Sequence, residues 1–236
     1  MTSTARPRAR FPYPETDVPA AHTTATSRHR CLRLGGALLA LAVLLQQVLT
    51  NGPVARLDHL LEHTLAGTRI TPLQTVASWL TWLGNPFFMV PALIGLALVV
   101  GFHRRTWRPL FIAVVAVAVL TATVLSLKSA VALPGPSGHL PGDGGSWPSG
   151  HTTTAVVVWG LAAKLVSPAR TRWRIALSVG VPALVGLALV YGGYHWLSDV
   201  LAGWILGPLL LTLIVALTSG RSPRPTAVDP RLVASR

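Results

Sequence analysis

The sequence predicts an all-α protein: a six-transmembrane helical bundle with a surface helical excursion between the first and second spans. Three observations carry that prediction. The 236 residues are 51% hydrophobic and only 11% charged, with a mean hydropathy of +0.53, whereas a soluble domain carries about 25% charged residues. Six apolar runs approach the roughly 17–25 residues that cross a hydrocarbon core about 30 Å thick. The charges are one-sided, twenty Lys and Arg against seven Asp and Glu, and seventeen of the twenty cations fall in four segments that a six-span layout puts on one side. A basic excess points to nucleic acid or to a membrane; the apolar fraction selects the membrane and leaves no nucleic-acid partner.

Residues 1–33 are rich in Arg, Pro, Thr and Ser without apolar periodicity, and are expected to form a disordered basic cytoplasmic tail. The run 34–50 opens the membrane domain, 34–219. Its long polar lead and the lack of an Ala-x-Ala cleavage pattern favour a retained anchor over a signal peptide. Segment 51–85 is mixed in polarity, with Leu57, Leu60, Leu61 and Leu65 at helical spacing, which predicts the surface excursion. The remaining spans are 86–102, 109–127, 152–166, 175–190 and 200–219. The fourth and fifth are short and need flanking residues to cross. Pro91 and Pro182 fall inside spans, where local kinks are tolerated. Cations gather before the first span, at Arg104, Arg105 and Arg108, at Lys164, Arg170, Arg172 and Arg174, and in the second cytoplasmic tail, 220–236. Arg56, Arg69 and Lys128 remain for the outer face, so both termini are expected in the cytoplasm. The single cysteine, Cys31, excludes an internal disulfide and a Cys-based zinc site; juxtamembrane acylation is the one modification its position suggests.

Two outer loops, 128–150 and 191–199, collect Lys128, His139, Asp143, Ser149, His151, His195 and Asp199. Ionisable residues at span boundaries point to function. In Pro148-Ser149-Gly150-His151, at the head of an apolar helix, Ser149 reads either as an N-cap or as a phosphate ligand. Gly150 lets an anion approach the backbone, and His151 is placed to protonate a leaving oxygen. His195 and Asp199 stand four residues apart. A carboxylate on one imidazole nitrogen makes the other a stronger nucleophile or base; the alternative is an Asp199 cap beside an interfacial aromatic cluster of Tyr191, Tyr194, His195 and Trp196. The two loops offer no Cys, Glu or His-x-x-x-His set for a metal.

These blocks resemble the type 2 phosphatidic acid phosphatase family of membrane lipid phosphatases, kin to the vanadium haloperoxidases. The family pattern is Lys-x6-Arg-Pro, then Pro-Ser-Gly-His, then Ser-Arg-x5-His-x3-Asp. Here the blocks are Lys128 with Gly135-Pro136, Pro148–His151 intact, and Ala188-Leu189 followed by His195 and Asp199. The resemblance implies that His195 attacks phosphorus, Asp199 orients it, His151 protonates the leaving group, and Lys128, Ser149 and Gly150 hold phosphate oxygens, with no metal or other cofactor. It implies a lipid phosphate or (poly)prenyl diphosphate substrate; the cation pattern puts the two loops at the extracytoplasmic face, and the expected setting is a bacterial plasma membrane. Both family arginines are replaced, by Gly135 and Leu189. That departure keeps a second expectation open: a non-hydrolytic relative that binds a phospholipid or polyprenyl phosphate, or one that transfers the headgroup to an alcohol. His139, Arg56 and Arg69 are the candidates to supply the missing charge.

Overall fold

The computed structural model describes residues 21–138, 144–166 and 172–219. The chain divides into two units, residues 1–36 and 37–236; the described residues of the first are the opening turns of helix α1. The tail expected to be unstructured through residue 33 is helical from Ala21, because α1 runs Ala21–Leu49. Its C-terminus is closed by Asn51 at φ 52, a left-handed position that Asn tolerates. Pro53, with φ already helical and no N–H to leave unpaired, then opens α2.

Segment 51–85 is helical, in two pieces: α2 Pro53–Ala66 and α3 Thr71–Thr81, followed by a 3-10 turn at Trp82–Gly84. Helix α4, Pro86–His103, is capped by the Asn85 side chain, which accepts from the Phe87 N–H at 2.9 Å. Helix α5 covers Arg108–Val131 and ends at Ala132 in a left-handed conformation. Helix α6, Gly150–Val166, is buried on most of its faces. A short α7, Arg172–Ile175, continues through a π-helical stretch, Ala176–Gly180, into α8, Val181–Tyr191. Helix α9 is Leu197–Thr218.

Five stretches are long and apolar enough to cross a bilayer: Cys31–Leu49, Pro86–His103, Arg108–Val131, Arg172–Tyr191 and Leu197–Thr218. Helix α6 has 17 residues, about 25 Å at 1.5 Å per residue, so length alone does not qualify it as a sixth. The core is built from Leu93 and Ala97 of α4, Ala113, Ala116 and Leu120 of α5, Val157 and Leu161 of α6, and Leu206, Leu210 and Ile214 of α9. Large apolar side chains also face outward, Phe102 at 85% exposure and Phe87 at 78% among them; such a surface is at home in lipid and costly in water. Helices α6 and α9 pack most closely. A Cβ on Gly207 would lie 2.5 Å from Val156, and one on Gly203 would lie 2.8 Å from Thr152, so two glycines one turn apart let the helices approach, as small residues do in membrane bundles.

Candidate active site

The α6–α9 contact assembles the site. The Ser149 N–H donates to the Asp199 carbonyl at 3.0 Å, fixing the N-terminus of α6 against the first turn of α9. Asp199 is 1% exposed. Its Oδ2 lies 3.1 Å from His195 Nδ1 and accepts the Trp196 N–H at 3.1 Å. One carboxylate therefore does both things that the sequence left as alternatives: it starts the helix and it holds the histidine. His195 precedes α9, so the pair forms through the loop rather than along one helix face. The loop is tied down by Leu189, whose carbonyl accepts the Tyr194 and His195 N–H groups at 3.0 and 3.4 Å. With Nδ1 carrying a proton toward Asp199, Nε2 keeps the lone pair.

His195 and His151 face each other with ring centroids 6.4 Å apart. Both line a cavity of about 420 Å³ together with Lys128, Gly150, Leu189 and Tyr194. Lys128 sits at the end of α5, 4% exposed, and its Cε passes 3.6 Å from where a Gly150 Cβ would stand. A side chain on residue 150 would thus fill the approach to the α6 N-terminus, whose open N–H groups and partial positive charge suit a phosphate. Ser149 is fully buried and does not line the cavity. Its Oγ accepts from the Thr152 N–H at 3.3 Å and lies 3.1 Å from the Thr152 hydroxyl, which is the capping geometry.

Among the described residues Lys128 is the one Lys or Arg lining this cavity. Leu189, at a family arginine position, presents an apolar side chain to it while packing with Val185, Val200 and Ala155. Arg69 does not replace the missing charge: its guanidinium donates to both Glu62 oxygens, at 2.8 and 2.5 Å, and to the Tyr191 carbonyl at 2.7 Å. It lies over Gly193, whose φ of +72 and lack of a Cβ let it fit. Arg56 is exposed on α2 and absent from the cavity lining. His139 and Asp143 lie outside the described residues.

Sequence reasoning missed a whole wall. Ser78, Thr81 and Trp82, from α3 and its 3-10 turn, complete the cavity. It missed Asp58 as well, a buried carboxylate on α2 whose Oδ1 accepts the Ser198 N–H at 3.0 Å. Burial pushes the Asp58 carboxyl up from the ordinary carboxylate range, against the Ser198 N–H bond that lowers it. One signal was available. Of seven acids only Asp58 and Glu62 fall between residues 18 and 142, four apart on an amphipathic helix; one reaches the first turn of α9 and the other braces the loop before it through Arg69.

A helical membrane bundle with two histidines, a buried lysine and a helix N-terminus around one cavity defines a phosphate-handling integral membrane protein. The PAP2 superfamily profile matches residues 107–223. Phosphatidylglycerophosphatase B of Bacillus subtilis is 30% identical over 149 residues, 60% of this chain and 73% of that protein. Undecaprenyl-diphosphatase of Sulfolobus acidocaldarius is 36% identical over 74 residues, 31% and 34% of the two chains. The crystal structure of a transmembrane PAP2-type phosphatidylglycerolphosphate phosphatase from Bacillus subtilis superposes with a TM-score of 0.70 at 24% identity, covering 81% of this chain and 99% of that one. The chain belongs to the PAP2 superfamily and is a membrane enzyme of its lipid phosphatase class.

Proposed function

We propose that the protein hydrolyses a lipid phosphate or (poly)prenyl diphosphate through a phosphohistidine, at the extracytoplasmic face of a bacterial plasma membrane, with six spans and both termini inside. The observation that carries this reading is the His195–Asp199 contact, 3.1 Å long, set across one cavity from His151 and beside Lys128. His195 Nε2 attacks phosphorus, the bond to the leaving oxygen breaks, and that oxygen takes the proton of His151. Water then attacks the phosphohistidine, giving its proton back to His151 and releasing phosphate with His195 restored. Lys128 and the N–H groups at the head of α6 hold the non-bridging oxygens, since phosphoryl transfer depends mostly on positioning and charge. The relatives' names support a substrate with a lipid or polyprenyl tail.

The apolar Leu189 in the cavity favours one variation, in which a less highly charged headgroup is accepted. Rapid quenching with labelled substrate tests the scheme: the parent retains an acid-labile label on protein, and His195→Gln retains none and releases no phosphate. A labelled His195→Gln variant, or full turnover by it, removes His195 as nucleophile. Asp199→Asn should lower kcat by up to about 10⁴-fold through the wrong tautomer.

A further inference from the structure

A second crevice, of about 270 Å³, lies among the α4–α5 turn and the C-terminal ends of α6 and α9. Arg104, Arg108 and Lys164 line it, with apolar walls from Ile112, Leu161 and Val215. Its place in the fold separates it from the catalytic cavity. Helix α5 starts at Arg108, here, and carries Lys128 at its other end; twenty residues of helix span about 30 Å. The two cavities therefore occupy opposite ends of the same helices. Trp107, 77% exposed, stands beside the crevice at a position where interfacial aromatics anchor membrane proteins.

Among the described residues no carboxylate answers the charge at this end. The three carboxylates among the described residues, Asp58, Glu62 and Asp199, all sit at the catalytic end, engaged with Ser198, Arg69 and His195. One cation does cap a helix: Arg104 donates to the Leu165 carbonyl at 2.9 Å. Arg108 and Lys164 are exposed side chains on the same crevice. Three like charges around a half-apolar hollow repel one another unless an anion with an apolar body enters.

We infer that this crevice is a binding site for the headgroup of an anionic phospholipid in the leaflet opposite the catalytic one. The phosphate takes Arg104, Arg108 and Lys164, and an acyl chain lies along Ile112, Leu161 and Val215. Basic pockets between membrane helices bind such headgroups, and each cation near the surface adds to the attraction. The site is independent of the catalytic chemistry.

The full chain is placed in phosphatidylcholine bilayers containing a minority of phosphatidylglycerol, extracted, and its retained lipids are counted by native mass spectrometry. The parent should retain phosphatidylglycerol in excess of its share, and the excess should fall as salt rises. Arg108→Gln with Lys164→Gln should weaken that retention about thirtyfold, two surface cations' worth, while phosphate release from a short-chain soluble substrate stays at the parent rate. Lys128→Gln, at the far end, should retain the lipid as the parent does. Equal retention by the double variant overturns the inference, as does loss of the lipid in Lys128→Gln instead. Displacement by inorganic phosphate at low concentration also overturns it, since the site would then read a free anion rather than a lipid.

Discussion

Asp58 and Ser198 are 140 residues apart in the chain and 3.0 Å apart in space, so no local pattern announces their contact. Because burial raises the Asp58 carboxyl, the folded chain binds its proton more tightly than the unfolded one. Its contribution to stability is complete below the unfolded carboxylate's pKa and is lost as pH rises through the higher folded value. Asp58→Asn should remove that pH dependence while keeping an acceptor for Ser198; Asp58→Ala should cost about 1–3 kcal/mol by orphaning the N–H. Thermal melts across pH separate the two. The arginine positions divide in a similar way. A Cβ at Gly135 meets only Ser146 Cβ at 3.7 Å and the Tyr194 carbonyl at 3.8 Å, so Gly135→Arg should fold at the parent's Tm and tighten inhibition by inorganic phosphate about tenfold. Leu189 is 1% exposed in an apolar cluster, so Leu189→Arg should lower Tm whatever it does for phosphate. A Leu189→Arg protein as stable as its parent would show that the cavity was already shaped for a guanidinium.

Helices were legible where hydrophobicity or spacing is local. The apolar runs from 86, 109, 152, 175 and 200 reappear as α4, α5, α6, α7–α8 and α9 with ends shifted by a few residues, and Lys128, Gly150, His151 and His195 do meet at one cavity. What the sequence hid is packing between helices. The excursion's leucines predicted a helix at 57–65 but not that the following helix would wall the site with Ser78 and Thr81. Ser149 stayed ambiguous because capping and phosphate binding draw on the same residue types at the same place. The α6–α9 contact carries its own prediction. Gly203→Ala places a methyl 2.8 Å from Thr152 and 3.2 Å from the Ser149 carbonyl, pushing the α6 N-terminus off α9. Gly207→Ala meets only Val156, one turn deeper. Both should lose about 1–3 kcal/mol of stability, but Gly203→Ala should lose kcat well beyond its share. Equal activity losses at matched stability would mean that the contact sets packing and not the geometry of the site.

At the scale of the whole molecule, the charges sort by end: the three described carboxylates, Asp58, Glu62 and Asp199, lie at the His195 end, and Arg104, Arg108 and Lys164 gather at the other ends of the helices. The segment matched by the family profile, 107–223, supplies Lys128, Gly150, His151 and His195, while Ser78, Thr81 and Trp82 come from before it. The two histidines and this wall thus come from separate stretches of chain. Trp82 and Phe88 stack with centroids 4.7 Å apart, and Trp82 is half-exposed at the cavity, so this wall sets an aromatic surface beside the hydroxyls of Ser78 and Thr81. Replacing residues 71–85 with the equivalent stretch of a relative should transfer preference between glycerolipid and isoprenoid substrates while leaving turnover on a small, tail-less phosphate ester unchanged. Such an exchange would change the substrate range of the scaffold through a wall and leave its two histidines in place.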